Sequence, residues 1–300
     1  MRNIIFLFLV MPLLLSCQNQ KNDNTGVERV QEFNEYWYQS QAEISSYDLE
    51  QSRYGEIHSG TATMIFVTEP FNVRKQVKSD NGEGNNVVSV LKLNSTRKFN
   101  TGIYPYSTMI STFTPVENIR PGNTIKLTNS VQEWCGQVFM QMNARKNDYE
   151  IKSFSYFESE GDQITEIDRT LLEDEIYSLI RLNPDALPTG EIEIFPSSVY
   201  LRFMHKEVKT YNANANKSAA NYNGNSAVNY TIEFPDLKRK LEIYYSDQFP
   251  YEILGWKDKY PSLRGQLLTT TATKKKELKI DYWNKNGKSD STYYNQLFNY

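Results

Sequence analysis

The chain has 300 residues, a net charge of −3 and a pI of about 5.7, which allows one large domain or two small ones. Proteins that bind the phosphates of nucleic acids are usually basic, so the negative net charge disfavours a nucleic acid partner. Hydrophobic residues make up 39% and aromatic residues 13%, which excludes wholesale disorder and favours half-buried strands. Two cysteines and two histidines are too few for most metal sites and for a disulfide scaffold. We expect no cofactor, no metal ion and no nucleic acid partner.

The N-terminus has the pattern of a secretory signal. A short basic stretch precedes an apolar run from Ile4 to Leu15, which is shorter than the roughly 20 residues a bilayer span needs. The run ends in Leu14-Leu15-Ser16-Cys17, the pattern of a bacterial lipobox, whose cysteine carries acyl chains such as palmitate. An ordinary signal peptide with a chance cysteine is the alternative. The pattern predicts that residues 1–16 are removed and that Cys17 is the lipid attachment site.

Residues 17–26 are polar and have no apolar period, so we predict a flexible tether between the lipid and the domain. Gln18 follows the anchor cysteine and, by resemblance to the usual sorting rule, favours the outer membrane of a diderm cell, on its periplasmic or its surface face. Residues 27–300 are predicted to form a single mostly-β domain, because no linker or internal repeat divides them.

The body of the domain alternates with period two. It is preceded by helical spacing of Val27, Val30, Phe33 and Trp37, which predicts a short N-terminal helix. The alternation predicts strands at 46–52, 61–69, 87–98, 103–114, 125–128, 131–142, 149–157, 228–234, 237–245, 251–256 and 266–279, with a further strand from Glu191. Residues 212–221 are of low complexity and are predicted to be a mobile loop. One curved antiparallel sheet with a helix laid against it fits this order.

One internal segment has helical spacing. Its apolar stripe is Leu171, Leu172, Ile176, Leu179 and Ile180. Its polar residues Glu173, Asp174, Glu175 and Arg181 are predicted to face away from the sheet. Asn183-Pro184 ends it. A stripe of this kind needs an apolar surface, and the inner face of a curled sheet supplies one. A helix that leaves space beside itself would be the lid of a ligand groove, whereas a filled interior would favour a structural role.

Few residues suggest catalysis. Cys135 follows Trp134 and precedes Gly136, but Val138 stands where a redox dithiol would need its second cysteine. A nucleophile pair with His58 or His205 is one hypothesis, and a buried, inert cysteine on a strand is the favoured one. Glu191 and Glu193 share a strand face, as in some hydrolases, although a charged edge strand explains them equally well. We assign no catalytic residue.

Large aromatics are the candidate ligand contacts. The predicted set is Tyr104, Tyr106, Trp134 and Trp256, with Leu172 and Ile176 from the helix. Most such residues in a sheet protein are simply core, which is the competing interpretation.

Four strings carry a family resemblance: Phe99-Asn-Thr-Gly-Ile-Tyr-Pro-Tyr106, Ser130-Val-Gln-Glu-Trp-Cys-Gly-Gln137, Arg181-Leu-Asn-Pro-Asp-Ala-Leu-Pro188 and Phe249-Pro-Tyr-Glu-Ile-Leu-Gly-Trp256. They resemble a group of uncharacterised bacterial lipoproteins that commonly carry the name "septum formation inhibitor Maf". Maf proteins themselves are cytoplasmic nucleotide pyrophosphatases with an N-terminal Ser-x-x-Arg-Arg motif. That motif has no counterpart in this signal peptide and tether, so no Maf catalytic residue is carried over.

The order of strands around one central helix is also similar to the lipoprotein-localisation proteins LolA and LolB, half-barrels whose concave face holds acyl chains. Together with the lipobox, this architectural resemblance leads us to expect a lipid-anchored, non-enzymatic envelope protein that binds an acyl chain, a glycan or a peptide. A hydrolase that uses Cys135 or the Glu191 and Glu193 pair is one alternative. An assembly lipoprotein without a pocket is the other.

Overall fold

The computed structural model describes the backbone of residues 24–298 and the side chains of residues 31–298. The predicted signal peptide, Cys17 and most of the predicted tether lie outside the described residues. Sixteen strands dominate the remainder. They are β1 (Ala42–Arg53), β2 (Glu56–Asn72), β3 (Val77–Lys78), β4 (Val87–Thr101), β5 (Tyr104–Pro115), β6 (Lys126–Glu133), β7 (Gly136–Ala144), β8 (Asp148–Phe154), β9 (Gln163–Asp168), β10 (Leu171–Leu172), β11 (Gly190–Phe195), β12 (Tyr211–Tyr222), β13 (Asn225–Phe234), β14 (Arg239–Ser246), β15 (Ile253–Pro261) and β16 (Leu267–Ile280).

Four α-helices accompany the strands. They are α1 (Asn24–Trp37), α2 (Ile176–Leu182), α3 (Ser198–Phe203) and α4 (Ser291–Phe298). Within residues 24–298 none of them is long and apolar enough to cross a bilayer. The short N-terminal helix and the central helix were both predicted. The helices α3 and α4 were not, because they are short and carry no clear apolar period.

All strands belong to one sheet. Its order is β10-β11-β12-β13-β14-β15-β16-β1-β2-β4-β5-β6-β7-β8-β9, and β3 pairs with β2 beside this path. Every pairing is antiparallel except the short parallel one between β10 and β11. The first and last strands of the chain pair with each other in the middle of the sheet. The predicted single curved antiparallel sheet with a central helix is confirmed.

The sheet curls until its two edges approach each other. The edge strands β9 and β10 are joined by Arg169 and Thr170 alone, so their facing ends lie within about 11 Å. The hydroxyl of Thr170 donates to the carbonyl of Glu193 on β11 at 3.0 Å, and Arg169 donates to the carbonyl of Gly122 at 2.6 Å. These contacts hold the edges together without closing the ladder of strand hydrogen bonds.

The central helix lies inside this curve and is buried on every side, which corrects the predicted polar face. Glu173, Asp174, Glu175 and Arg181 are all buried. The segment begins with β10 and a single 3₁₀ turn at Glu173–Glu175, and the α-helix starts only at Ile176. Charged residues are rarely buried without partners, and each of these four has one.

The partners come from strands, from α3 and from the segment between β5 and β6. Glu173 accepts hydrogen bonds at 2.6 and 2.7 Å from Arg239, which also donates to Asp258. Asp174 accepts from the backbone N–H and the hydroxyl of Ser198 at 2.9 and 2.8 Å. Burial raises the pKa of both Glu173 and Asp174. The acidic triplet therefore fixes the helix rather than facing water.

Glu175 completes this set of buried anchors. Its carboxylate accepts from the backbone N–H groups of Gly122 at 2.6 Å and of Thr124 at 3.0 Å. These groups belong to the segment between β5 and β6, so the helix is tied to that side of the sheet as well. The backbone N–H donors stabilise the charged form of Glu175, whereas burial raises its pKa and favours the neutral form.

Two further strand predictions need correction. Residues 212–221 form most of β12 instead of a loop, because the Asn-Ala repeat has period two and places Ala213 and Ala215 on the buried face. The predicted strand 131–142 is two strands, β6 and β7, joined by a two-residue turn at Trp134 and Cys135. A continuous alternating pattern does not distinguish one strand from a tight hairpin.

The turns define two ends of the curved sheet. The hairpin end carries the turns at 54–55, 102–103 and 134–135 together with α3, since β11 runs toward that end. At the opposite end, here the α1 end, Trp37 of α1 is buried against the core and its carbonyl accepts from the hydroxyl of Thr68 at 2.6 Å. Helix α4 packs on the outer face, where Leu297 meets Ile44 and Val67.

Candidate functional site

The middle of the curved sheet is filled by side chains. The inner faces of the strands and the helices α2 and α3 form one continuous apolar cluster, which includes Tyr47, Phe66, Ile180, Phe203 and Trp256. The ring of Tyr177 on α2 stands 6.0 Å from that of Trp256 in an edge-to-face arrangement. Space for a ligand inside the curve therefore remains at its two ends.

The first cavity opens at the α1 end and has a volume of about 430 Å³. We call it the aromatic cavity. Its apolar lining is Phe33, Tyr38, Val116, Ile119, Leu182, Phe249 and Tyr251. Asn34, Glu117 and Asn183 are its polar lining. The volume lies within the range of roughly 300–1,000 Å³ that is typical of small-molecule sites. The walls come from α1, the β5–β6 loop, the end of α2 and the β14–β15 loop, so the cavity lies beside the central helix.

A buried ion pair holds these walls in place. Arg181 of α2 forms a bidentate ion pair with Glu43 of β1, and the hydroxyl of Tyr36 on α1 donates to the same carboxylate. Arg181 Nε also donates to the carbonyl of Pro250 in the β14–β15 loop at 2.8 Å. Burial alone would raise the pKa of Glu43, but the charge of Arg181 and its hydrogen bonds lower it. Three of the four walls are thus tied to one guanidinium and one carboxylate.

The second cavity opens at the hairpin end and has a volume of about 290 Å³. We call it the polar cavity. It forms because the inner face of β8 carries Tyr149 and Ile151 and then Ser153, which is too small to fill the space between the sheet and α3. Asn129 takes an inner position on β6 between Leu127 and Val131, where the pattern calls for an apolar residue.

Charged groups from α3 and the β8–β9 loop line the same cavity. Nδ1 of His205 lies 2.6 Å from Oε1 of Glu160, and Nη1 of Arg202 lies 3.5 Å from that oxygen. The hydroxyl of Ser155 donates to the other oxygen of Glu160 at 2.7 Å. Burial would raise the pKa of Glu160, but these hydrogen bonds and the charge of Arg202 lower it. Glu160 therefore joins the loop to α3 as a carboxylate.

Arg53 at the end of β1 positions α3. Its Nη1 donates to the carbonyl of Phe203, the last residue of that helix, at 2.6 Å. Its guanidinium carbon also lies 4.7 Å from the ring centre of Phe203 and 4.3 Å from that of Tyr54. A cation at the last carbonyl of a helix is favourable, and here it fixes the end of the helix that carries Arg202.

The six ligand contacts predicted from the sequence lie elsewhere. Leu172, Ile176, Tyr106 and Trp256 are buried in the central cluster. Tyr104 and Trp134 lie on the hairpin end, with ring centres 6.2 Å apart. None of the six lines either cavity. Their role as ligand contacts remains a prediction, and aspartate at Leu172 or Ile176 would place a charge in the core rather than open a lid.

The prediction that Cys135 is buried on a strand is wrong. The thiol is exposed in the β6–β7 turn, where its backbone N–H donates to Glu133 at 2.6 Å. A hydrogen bond to Glu133 raises the pKa of the thiol, the opposite of what activates a nucleophile. His58 contacts the carbonyl of Arg53 at 3.1 Å and His205 contacts Glu160, so both imidazoles are engaged away from the thiol.

The paired glutamates lie on the outside. Glu191 and Glu193 are exposed on β11, which pairs on one side with only two residues of β10. Thr210 donates to Glu193. This is the position of a charged edge strand. Among residues 24–298 no group of three or more acidic, histidine or cysteine side chains is placed to hold a metal ion.

The residues around both cavities were missed for a common reason. Arg202, Ile119 and Phe249 belong to a short helix and to loops, where no repeating pattern marks a buried position. The available signal was on the strands. The inner positions of β6 and β8 change from large apolar residues to Asn129 and Ser153, and such a change within a regular pattern marks a gap in the core.

No family model and no curated protein matches the chain. Among solved structures, it is similar to a beta-barrel-like protein of the domain of unknown function DUF1849 from Brucella abortus, at 10% identity and a TM-score of 0.47, over 80% of this chain and 98% of that one. It is also similar to a structure from Vibrio parahaemolyticus described as an outer membrane lipoprotein-sorting protein domain, at 8% identity and a TM-score of 0.21, over 91% of this chain and 98% of that one. At these TM-scores neither similarity carries an argument about function. The resemblance to the Maf-named lipoproteins finds no support in these comparisons.

Proposed function

We infer that this protein is a lipid-anchored protein of the cell envelope that binds the acyl chain of a membrane lipid in the aromatic cavity. The observation that carries the inference is the lining of that cavity. Each element that forms its walls contributes apolar or aromatic side chains, and few polar groups are available to orient a polar ligand. Burying apolar surface contributes roughly 25 cal/mol per Å².

The composition of the walls favours an acyl chain over a glycan or an extended peptide. A glycan presents many hydroxyl groups, each of which loses hydrogen bonds to water when it enters an apolar site. A peptide has the same difficulty with its backbone amides. Polar side chains at Asn34, Glu117 and Asn183 occupy only part of the lining, and they suit the polar head at the end of a chain.

The position of the cavity suits a protein anchored at Cys17. Phe33 and Tyr38 line the cavity, and α1, which contains Phe33 and ends just before Tyr38, is 14 residues or about 21 Å long in total. Seven residue steps separate Cys17 from the start of α1 at Asn24, and they span at most about 25 Å. An anchor at Cys17 would therefore keep the α1 end within about 45 Å of the bilayer surface, where lipid acyl chains are available.

Two alternatives are less favoured by the geometry. A hydrolase that uses Cys135 would need a thiol of lowered pKa, whereas the pKa of the Cys135 thiol is raised. A hydrolase that uses Glu191 and Glu193 would work on an exposed edge strand outside both cavities. An assembly protein without a pocket agrees with the filled middle of the sheet, but gives no reason for an apolar cavity at its end.

Acyl binding is tested with cis-parinaric acid, a fatty acid that fluoresces in an apolar site. The full chain with Cys17→Ser is titrated with this probe. We expect saturable binding, and at least a ten-fold weaker affinity in Val116→Asp and Ile119→Asp, because each places a carboxylate in the cavity. The matched control is Ile164→Asp, which adds the same charge on β9 at a side chain that is 73% exposed. Circular dichroism confirms that each variant is folded.

Saturable binding that survives both cavity variants would contradict the proposed site, and no binding by the parent chain would contradict the proposed ligand. The anchor is tested separately by fractionation. The Cys17→Ser chain should leave the membrane fraction, because the thioether is the attachment that the sequence offers. If this variant stays with membranes after a salt wash, the anchor is not at Cys17.

A further inference from the structure

The polar cavity at the hairpin end has walls of two kinds. Its apolar walls are Val138 and Met140 on β7, Leu201 on α3 and Val208 beyond it. Its polar walls include Asn129 on β6, Ser153 on β8, Glu160 in the β8–β9 loop and Arg202 on α3. A small cavity with an apolar floor and a few convergent polar groups has the composition of a small-molecule site.

Two buried polar atoms on this lining lack a hydrogen-bond partner within the described part of the chain. They are Oδ1 of Asn129 and Nε of Arg202. The two residues are 3% and 9% exposed. Buried polar groups are almost always paired in folded proteins, because an unpaired one costs about 1–3 kcal/mol. One of these atoms is an acceptor and the other is a donor, and the two residues that carry them line the same cavity.

The guanidinium of Arg202 has no hydrogen-bond partner at Nε among the described residues. Its contacts with Glu160 and with His205 both run through Nη1. Its plane also lies over the ring of Phe157, with the guanidinium carbon 4.3 Å from the ring centre. The Nε edge is the side of a guanidinium that binds a carboxylate with two parallel hydrogen bonds. Stacking on Phe157 fixes the direction of that edge.

The charges around the cavity have both signs. Arg202 and Lys206 are cationic, and Glu160 and Glu207 are anionic. Such a lining does not favour a simple anion, which would meet two carboxylates, nor a simple cation. It complements a ligand that carries both charges at one end of an apolar body.

We propose that the polar cavity binds a hydrophobic α-amino acid in its zwitterionic form. The carboxylate accepts hydrogen bonds from the Nε edge of Arg202. The ammonium group donates to Oδ1 of Asn129, in the negative field of Glu160. The aliphatic side chain lies on Met140, Leu201 and Val208. The volume of about 290 Å³ limits the ligand to a single residue of this kind.

L-leucine is the probe for this site. Calorimetric titration of the full Cys17→Ser chain should show saturable binding of L-leucine at one site. Leucinol lacks the carboxylate and 4-methylpentanoate lacks the ammonium group, so each should bind at least ten-fold more weakly. Equal binding of leucinol would overturn the role of Arg202, and equal binding of 4-methylpentanoate would overturn that of Asn129.

Two variants locate the site. Arg202→Gln removes the guanidinium edge, and Ser153→Leu fills the cavity from β8 without removing a charge. Both should weaken L-leucine binding at least ten-fold. The matched control is Arg145→Gln, which removes an arginine that is likewise paired with a glutamate, Glu150 at 3.0 Å, but lies on the β7–β8 turn at the α1 end. It should leave binding unchanged.

The two cavities are tested independently, because cis-parinaric acid reports on one and L-leucine on the other. Ser153→Leu should retain cis-parinaric acid binding while it loses L-leucine. If Arg202→Gln fails to fold, Ser153→Leu still decides the question. The proposal is overturned if the parent chain does not bind L-leucine, or if Ser153→Leu binds it as well as the parent does.

Discussion

The two ends of the curved sheet each leave a cavity, but the two cavities are lined differently: one lies beside the end of α2 and the other beside α3. At the α1 end the lining is mostly aromatic and aliphatic, and a buried ion pair nearby, Arg181 with Glu43, lies behind the wall. At the hairpin end the charged groups Arg202 and Glu160 are themselves the wall. An interior of this kind is therefore not one pocket. A packed middle separates two spaces with different chemistry.

The separation depends on how the central helix is held. Arg239 binds Glu173 at the start of the helical segment, and Arg181 binds Glu43 at its end. Both pairs are buried. Removing one partner of a buried pair leaves an unpaired charge, which typically costs about 3–5 kcal/mol. Each of the two ion pairs can therefore be disrupted by itself, and ligand binding in the two cavities can be compared.

The largest effect is expected from Arg239→Met. Arg239 neutralises two buried carboxylates, Glu173 and Asp258, so its loss should lower the free energy of unfolding by about 5 kcal/mol or more at pH 7. Urea unfolding measures the change. Burial raises the pKa of Glu173 in the folded state, and the charge of Arg239 opposes that effect. A carboxyl group with a raised folded-state pKa destabilises the fold as the pH rises, so the charge of Arg239 matters most at high pH. The loss should therefore be smaller at pH 4 than at pH 7, and a pH-independent loss would contradict this account.

A smaller loss, about 3 kcal/mol, is expected from Arg181→Met, because Glu43 keeps the hydrogen bond from Tyr36. The double variant Glu43→Leu with Arg181→Met should recover most of it, since no buried charge is left unpaired. If the comparison between the ends is right, Arg181→Met should weaken cis-parinaric acid binding more than L-leucine binding. An equal loss of both ligands would show that the two cavities are not independent.

The strands could be predicted from the sequence to a large extent, because each buries one face and so alternates. The strands 87–98 and 103–114 were predicted for this reason, and the structure has β4 at Val87–Thr101 and β5 at Tyr104–Pro115. The buried acids were not. Glu173, Asp174 and Glu175 look like a solvated face, since their partners Arg239, Ser198 and Gly122 are distant in the chain. Only the tertiary structure shows that three carboxylates point into a sheet that surrounds them.

The cavities were harder still to predict, because a cavity is defined by what fails to fill it. Nothing in the residues around Phe249 or His205 indicates that they will meet α1 or the β8–β9 loop. Of the four aromatic residues chosen from the sequence, Tyr106 and Trp256 were large and regularly placed on strands, and those are the properties that make an aromatic side chain pack into a core. Site residues on loops lack that regularity.

Thiol labelling tests the openness of the hairpin end. Cys135 is exposed, so a thiol reagent should label the native chain within a few-fold of the rate of the urea-unfolded chain. The hydrogen bond to Glu133 raises the pKa of the thiol and lowers its thiolate fraction, so Glu133→Gln should accelerate labelling several-fold at pH 7. Slow labelling that only unfolding relieves would mean that the β6–β7 turn is covered in solution. Ellman's reagent provides the measurement, with Cys135→Ser as the blank.

The smallest effect concerns the contact between the β8–β9 loop and α3, which has no counterpart at the α1 end. Glu160 joins them through His205 and Arg202, and its pKa is lowered from an ordinary value of 4.5. A carboxyl group whose folded-state pKa is lowered stabilises the fold above its unfolded pKa and loses that contribution as pH falls through the folded one. The pair is partly exposed, so its contribution is below about 1 kcal/mol. Glu160→Gln should therefore be slightly less stable than the parent at pH 7 and equally stable near pH 3. Urea unfolding at both values decides this, and a difference that persists at low pH would mean that packing on Phe157, rather than charge, holds the loop over the polar cavity.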